Sequence, residues 1–300
     1  MTKKRLFLYL GLTFGLTWGV FLLWILSGGI YLDEEGSLTP MASLIGGIAM
    51  LCPTIGMLLT RRLTKEGFAF SGTDSMLLGI NLKNKKWILY LMVMILPWIY
   101  FELGNGLRLL LSPEAFSTEV AEEFGSLLFI QPFASIVNGV FVSFAALGEE
   151  LGWRGYMMPK LLKLMDAKGA VLVGGIIWGI WHWPMIYMGH NFGFGYLGYP
   201  FTGFAAMCVM SVAIGTILTY VTCRTGSIWP AAILHAVNNA SPGILQYYFD
   251  SSKVSGWKGD SVASSLIMLL PMIAISVVFY VLLCRQQAKN KTGFSGTYYS

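Results

Sequence analysis

Glu149 and Glu150 stand side by side within SIVNGVFVSFAALGEELGWRGYMM, residues 135–158, a stretch otherwise suited to lipid or to the inside of a helix bundle. An acidic residue at the middle of a membrane helix costs roughly 2.5 to 3.5 kcal/mol on insertion scales, so two in succession call for a use. His182 and His235 also lie in strongly apolar segments. A carboxylate in a low-dielectric site next to an imidazole is what general-base activation of water requires, and these positions together point to an active site inside a membrane. His190, in GHNFGFGY, belongs to a polar loop and is expected to be solvated.

Spacing divides the labour. On a helix Glu150 and Arg154 share a face, so they can form an ion pair that offsets the cost of both charges, whereas Glu149 points about 100° away and is left freer. That makes Glu149 the candidate base and Glu150 with Arg154 the structural pair. His235 and Asn239, four apart in HAVNN, present an imidazole and an amide from one face. Such a pair can stabilise a developing oxyanion, an effect worth about 3 to 4 kcal/mol per donor. Asn238 points to a different face and is the alternative amide. Each group alone has a plainer reading, a histidine satisfied between helices or a salt bridge that anchors a helix; three polar helices at similar depth have fewer plain readings.

Depth tests whether the groups meet. If the fourth apolar segment continues to Met158, Glu149 lies nine residues from its inner end, roughly 13 Å deep. His235, nine residues past Gly226, reaches the same depth. His182 comes out deeper, at roughly 20 Å, unless its helix begins nearer Leu172. Pro184, just after His182, is placed to break that helix beside the site.

The elements that must position these residues follow from composition. The chain is 55% hydrophobic and 12% charged, against about 25% charged in soluble domains. Apolar runs near residues 6–28, 41–60, 87–111, 130–158, 169–188, 200–222, 227–247 and 262–284 are about the length a helix needs to cross a bilayer. The expected fold is therefore all-α: one polytopic domain over residues 1–300 with about eight transmembrane helices, in a plasma membrane. The first run, after Lys3, Lys4 and Arg5, exceeds a signal-peptide core and lacks an A-x-A site, so it reads as a retained helix. No internal repeat marks inverted transporter halves.

Basic residues set the orientation. With the N-terminus inside, Lys3, Lys4, Arg5, Arg61, Arg62, Lys65, Lys83, Lys85, Lys86, Arg154, Lys160, Lys163, Lys168, Arg224, Arg285, Lys289 and Lys291 all fall on the inner side. Of the 20 basic residues, that leaves Arg108, Lys253 and Lys258 outside, which favours cytoplasmic N- and C-termini. Asp33, Glu34, Glu35, Glu114, Glu119, Glu122 and Glu123 fall in outer loops. The inner loop 61–86 is expected to lie partly at the membrane interface, with Phe68, Phe70 and Met76 to Leu78 dipping into that interface. Trp87, Trp98, Trp181, Trp183 and Trp229 read mostly as an interfacial belt. Glu102 with Arg108 reads as a local pair. The GxxxG patterns Gly11–Gly15 and Gly175–Gly179 read as close helix packing. Cys52, Cys208, Cys223 and Cys284 are scattered and show neither a zinc ribbon nor a disulfide framework. No basic stripe interleaved with aromatics supports nucleic-acid binding.

Three motifs in order resemble the CPBP family, the CAAX prenyl protease and bacteriocin-processing (Abi) intramembrane proteases. They are Glu149-Glu150-Leu151-Gly152-Trp153-Arg154, then Trp178-Gly179-Ile180-Trp181-His182, then His235-Ala236-Val237-Asn238-Asn239. The resemblance covers about 130–245, with Trp178 where the family usually has Phe. It implies peptide-bond hydrolysis in a cavity open to the cytoplasmic side, with Glu149 and His182 activating water. His235 and Asn239 would support the oxyanion, and Glu150, Arg154 and Trp178 would support the site. It implies a peptide or protein substrate, lipidated or not, and self-immunity to a bacteriocin among the roles of relatives; oligomeric state is left open. Glu149, His182 and His235 could also hold zinc or another divalent metal; without HExxH the balance favours a metal-free glutamate mechanism. A peptide-binding scaffold or a small proton-coupled transporter using the same cavity is the competing reading.

Overall fold

A computed structural model describes residues 2–34, 36–72, 74–125 and 127–292; for residues 120, 123, 124, 127–129 and 289–292 it describes the backbone alone. Glu35 and the side chains of Glu123, Lys289 and Lys291 thus lie outside the described residues. The described residues form helices α1 Thr2–Leu26, α2 Pro40–Leu63, α3 Trp87–Leu111, α4 Glu119–Phe124, α5 Leu127–Gly152, α6 Met158–Leu164, α7 Ala167–Trp181, α8 Trp183–Tyr187, α9 Phe201–Thr225, α10 Trp229–Ala240 and α11 Ser261–Thr292, and no strand. Side chains such as Leu23, Phe133, Phe141, Phe144 and Val277 are exposed along these helices, as a lipid-facing surface requires. The protein is an all-α, multi-pass membrane protein.

Among the described residues, six helical stretches are long and apolar enough to cross a membrane: Thr2–Leu26, Pro40–Leu63, Trp87–Leu111, Ile130–Leu164, Phe201–Thr225 and Ser261–Ala288. The fifth and seventh expected runs are shorter helices. α7 has 15 residues and α10 has 12, or about 22 and 18 Å against a hydrocarbon core of about 30 Å. Local sequence explains both. Pro184 occupies the second position of α8, restarting the chain after His182. The expected run to residue 247 stops at Ala240, because Ser241-Pro242-Gly243 follows and Gly243 takes a φ of +83° that favours glycine.

The fourth segment continues past the glutamates. α5 passes through a π turn, Trp153–Met157, in which Met158 N–H bonds to Trp153 O, and emerges as α6. α10 packs against α5, α3 and α9, and α5 packs against α2, so the two motif-bearing helices α5 and α10 lie side by side in the bundle. Gly152 permits the approach of α5 to α2: a Cβ there would lie 2.5 Å from Pro53 Cβ and 2.6 Å from its backbone.

Gly175 and Gly179 likewise face the backbones of Val212 and Cys208, close packing of α7 on α9 as expected. Gly11 and Gly15 correct that expectation, for nothing stands within 4 Å of either added Cβ. The tryptophan belt also needs revision. Trp98 and Trp181 are buried in the bundle, the latter donating Nε1–H to Thr17 Oγ1 at 2.8 Å, while Trp87 is exposed. In the inner loop Phe68 and Phe70 are exposed and Leu77 is buried. The four cysteines are free.

Charge gathers at the two ends of the bundle. Arg5, Glu66, Lys160, Asp74 and Lys163 pair at one end, bringing together the start of α1, the α2–α3 loop and α6. At the other end Asp33, Glu34, Glu114, Glu119 and Glu122 are exposed. Glu102 and Arg108 are not an ion pair. Glu102 accepts from the amides of Ile244 and Leu245, and Arg108 donates to Ser264, Asn105 and Gln246 while stacking 3.7 Å over Phe249. The carboxylate has been drawn to free N–H groups opening a 3₁₀ turn, as a helical cap draws acids. His190 is not simply solvated: its Nδ1 lies 2.8 Å from the Tyr31 hydroxyl and its ring meets Tyr31 edge-on.

Candidate active site

Because the π turn keeps α5 helical beyond the glutamates, the i to i+4 relation operates twice in succession. Glu150 Oε1 accepts from Arg154 Nη1 at 2.9 Å, the pair expected from spacing. Glu149 Oε2 accepts from Trp153 Nε1 at 3.3 Å. Both glutamates are almost wholly buried, at 3% and 0% exposure. Such carboxylates stay in the fold only with partners.

The two histidines arrive from different elements. His182 ends α7, where the chain breaks before α8, and its Nδ1 lies 2.8 Å from Trp178 O. A carbonyl only accepts, so Nδ1 carries the proton and Nε2 keeps its lone pair. His235, mid-α10, places Nδ1 2.9 Å from Glu150 Oε1. A carboxylate oxygen accepts, so here too Nδ1–H donates and Nε2 is the nitrogen left for other partners. The second oxygen of Glu150, Oε2, has no hydrogen-bond partner among the described residues.

Trp178 joins these groups. Its Nε1–H donates to Glu149 Oε2 at 2.9 Å, and the Arg154 guanidinium lies 4.0 Å over its ring. The rings of His182 and His235 meet it edge-on at 5.6 and 5.5 Å. One indole thus touches Glu149, Arg154, His182 and His235. Trp153, which sequence reasoning passed over, is found by the same four-residue spacing that identified Arg154.

Asn239 stands apart. It is exposed at the last turn of α10, and its side-chain oxygen accepts from Asn238 Nδ2 at 3.1 Å. Asn238 in turn accepts from the Tyr100 hydroxyl. Among the described residues neither amide bonds to His235. The site is also closed: His182 and His235 are 8% and 5% exposed, and the void beside Arg154, Gly174 and Gly215 is too small for a water molecule.

A bound metal would take Glu149 with the Nε2 atoms of His182 and His235, whose Nδ1–H bonds to Trp178 O and Glu150 Oε1 leave those nitrogens their lone pairs; the side chains do not converge in this way. No three His, Cys, Asp or Glu side chains among the described residues form a metal-holding group.

Residues 121–241 match the family model described as Rce1-like, Type II CAAX prenyl endopeptidase Rce1-like. CAAX prenyl protease 2 of Methanococcus maripaludis is 26% identical over 125 residues, 41% of this chain and 46% of that protein. The aligned part thus spans less than half the length of that relative, and the family-model match over residues 121–241 contains all three motifs.

Proposed function

We propose that this chain, whose residues 121–241 match the Rce1-like family model, belongs to the CPBP family and is an intramembrane endopeptidase that hydrolyses a peptide bond with water activated by Glu149. The observation that carries the reading is Trp178. By touching Glu149, Arg154, His182 and His235 at once, it gathers residues from three helices around one point.

In this reading Glu149 accepts a proton from water as the oxygen attacks the peptide carbonyl, and returns it to the leaving amine as the C–N bond breaks. Trp178 and Trp153 hold Glu149 Oε2 and so orient the carboxylate. His182, with Nδ1–H on a backbone carbonyl, offers the Nε2 lone pair to the same water. His235 serves the carbonyl oxygen. With Nδ1–H on Glu150, Nε2 can donate to an oxyanion only when the ring carries both protons. Asn239 is the second oxyanion donor and must turn from Asn238 to serve. A substrate must part the helices to reach these buried groups, and the entry is assigned to the cytoplasmic side by charge distribution. The substrate class is a peptide or protein chain, and the relative's name directs the first trial to a prenylated C-terminal CAAX sequence.

The test is cleavage of a farnesylated CAAX peptide and its unprenylated counterpart by full-length protein in liposomes, with product masses read by mass spectrometry. Wild-type cleavage that drops at least 100-fold in Glu149→Gln supports the reading, since general-base residues contribute typically about 10² to 10⁴. Binding without cleavage, or cleavage undiminished in Glu149→Gln, overturns it.

A further inference from the structure

Glu66 lies just beyond α2, in the inner loop and outside the matched region, yet it is tied to the helix that carries Glu150 and Arg154. Its carboxylate accepts from the Tyr156 hydroxyl at 2.5 Å, from Lys160 Nζ at 2.8 Å and from Thr64 Oγ1 at 2.8 Å, with Arg5 Nε 3.7 Å away. Tyr156 lies inside the π turn, two residues from Arg154, and the Lys160 ammonium sits 3.4 Å over its ring. A π turn departs from regular winding and persists where surrounding contacts hold it, commonly beside a functional site.

The rest of the loop is anchored with equal care. Arg61, 2% exposed, donates to the carbonyls of Gly67 and Asp74, both at 3.0 Å, and of Ser75 at 2.8 Å, and its guanidinium lies 5.4 Å over the Tyr156 ring. Lys163 pairs with Asp74. Farther along, Leu77 O accepts from the amide of Ile228 and Leu78 O from Trp229 Nε1, both at 2.9 Å, at the start of the helix that carries His235. One loop therefore grips both the turn that bears Arg154 and the entry to α10.

We infer that Glu66 is a positioning residue for the proposed hydrolysis: through Tyr156 and Lys160 it fixes the π turn that sets Arg154 on Glu150, while its loop fixes α10 and hence His235. This rests on the peptidase reading for its catalytic consequence, though not for the clamp itself. The groups facing Glu66 are Arg5, Arg61, Thr64, Tyr156, Lys160 and, farther off, Asp74. Burial pushes its carboxyl up, but hydrogen bonds from Lys160, Tyr156 and Thr64 outweigh this and hold it at about 2, so it is an anion at neutral pH.

Two variants in the full-length protein in liposomes test the clamp, Glu66→Gln and Tyr156→Phe, with Glu66→Asp as the conservative rescue. Amide hydrogen exchange over Trp153–Met157 reads the turn, and kcat and KM on the farnesylated CAAX peptide read its consequence. Each of the two variants is expected to speed exchange in the turn and lower kcat by about tenfold, roughly the worth of one hydrogen bond to a charged group, with KM within twofold. Glu66→Gln weakens the bond from Tyr156 and removes the counter-charge of Lys160, while Tyr156→Phe removes the hydroxyl donor, so their combined loss is expected to fall short of the product of the two single losses, and Glu66→Asp to recover part of it. Unchanged exchange in both variants overturns the clamp whatever the peptide assay gives, as does faster exchange with kcat intact in an active enzyme. Faster exchange in a protein whose wild type cleaves nothing overturns the peptidase reading and upholds the clamp.

Discussion

His235 donates its Nδ1 proton to Glu150 Oε1 at 2.9 Å, and this bond decides which imidazole nitrogen faces the remainder of the site. The same oxygen accepts from Arg154 Nη1 at 2.9 Å, so a single carboxylate atom joins α5, the π turn and α10. Glu150 is therefore a structural keystone as well as the partner of a histidine.

The two glutamates are expected to fail differently. Glu150→Gln leaves Arg154 buried without its counter-charge, a change worth about 3 to 5 kcal/mol when a buried pair is broken. Glu149→Gln still offers an amide oxygen to Trp178 and Trp153 and is expected to fold as the wild type does. Thermal unfolding in detergent separates them: a clear loss of midpoint for Glu150→Gln, little change for Glu149→Gln. Equal midpoints would refute the division of roles.

Trp178→Phe keeps a ring for His182, His235 and Arg154 but removes the N–H that Glu149 Oε2 accepts. A hydrogen bond to a charged group is worth about 1.5 to 3 kcal/mol, so peptide cleavage is expected to slow by about 10- to 100-fold. Steady-state kinetics on purified variant and wild type supply the check, and an unaltered kcat would show that the bond does not orient the carboxylate in the reaction.

The outer-loop contact between Tyr31 and His190 carries a pH dependence. Burial holds the His190 imidazole down to about 4, against about 6.5 for an unfolded histidine. The fold thus favours the neutral ring. This stabilisation is present in full above about pH 6.5 and is lost as pH falls toward 4, amounting to about 1 to 2 kcal/mol after allowance for partial exposure. Hydrogen exchange in residues 27–34 and 188–193 is expected to rise over that window, and His190→Asn to abolish the rise.

Gly152→Ala brings a Cβ to within 2.6 Å of the Pro53 backbone, which must move. Overpacking of this kind costs about 1 to 3 kcal/mol. At Gly11 nothing stands within 4 Å, so Gly11→Ala is expected to be neutral or stabilising by up to about 1 kcal/mol. Paired unfolding midpoints compare the two, and a tolerated Gly152→Ala would mean that α2 and α5 can separate at little cost.

Much of this architecture was legible along the chain. The apolar runs marked every long helix, with α3 at Trp87–Leu111 matching its expected bounds. The continuation past Glu149 to Met158 followed from requiring polar groups to share a depth. Glu150 with Arg154 was readable because four-residue spacing on a helix is a local geometric fact. Asn239 shows where that logic stops. It shares a helical face with His235, but the end of α10 at Ala240 leaves it exposed and bonded to Asn238.

Composition, charge distribution and motif order determined the class of molecule, the long helices and the candidate site residues, since each depends on neighbours one or two turns away. Only the tertiary structure decided that Trp178 stands at the centre, that His235 bonds Glu150, and that the loop bearing Glu66 grips the π turn. Those relations join residues 29, 85 and 90 positions apart. They depend on how closely α2, α5, α7 and α10 approach one another, and no periodicity within a single helix encodes that distance.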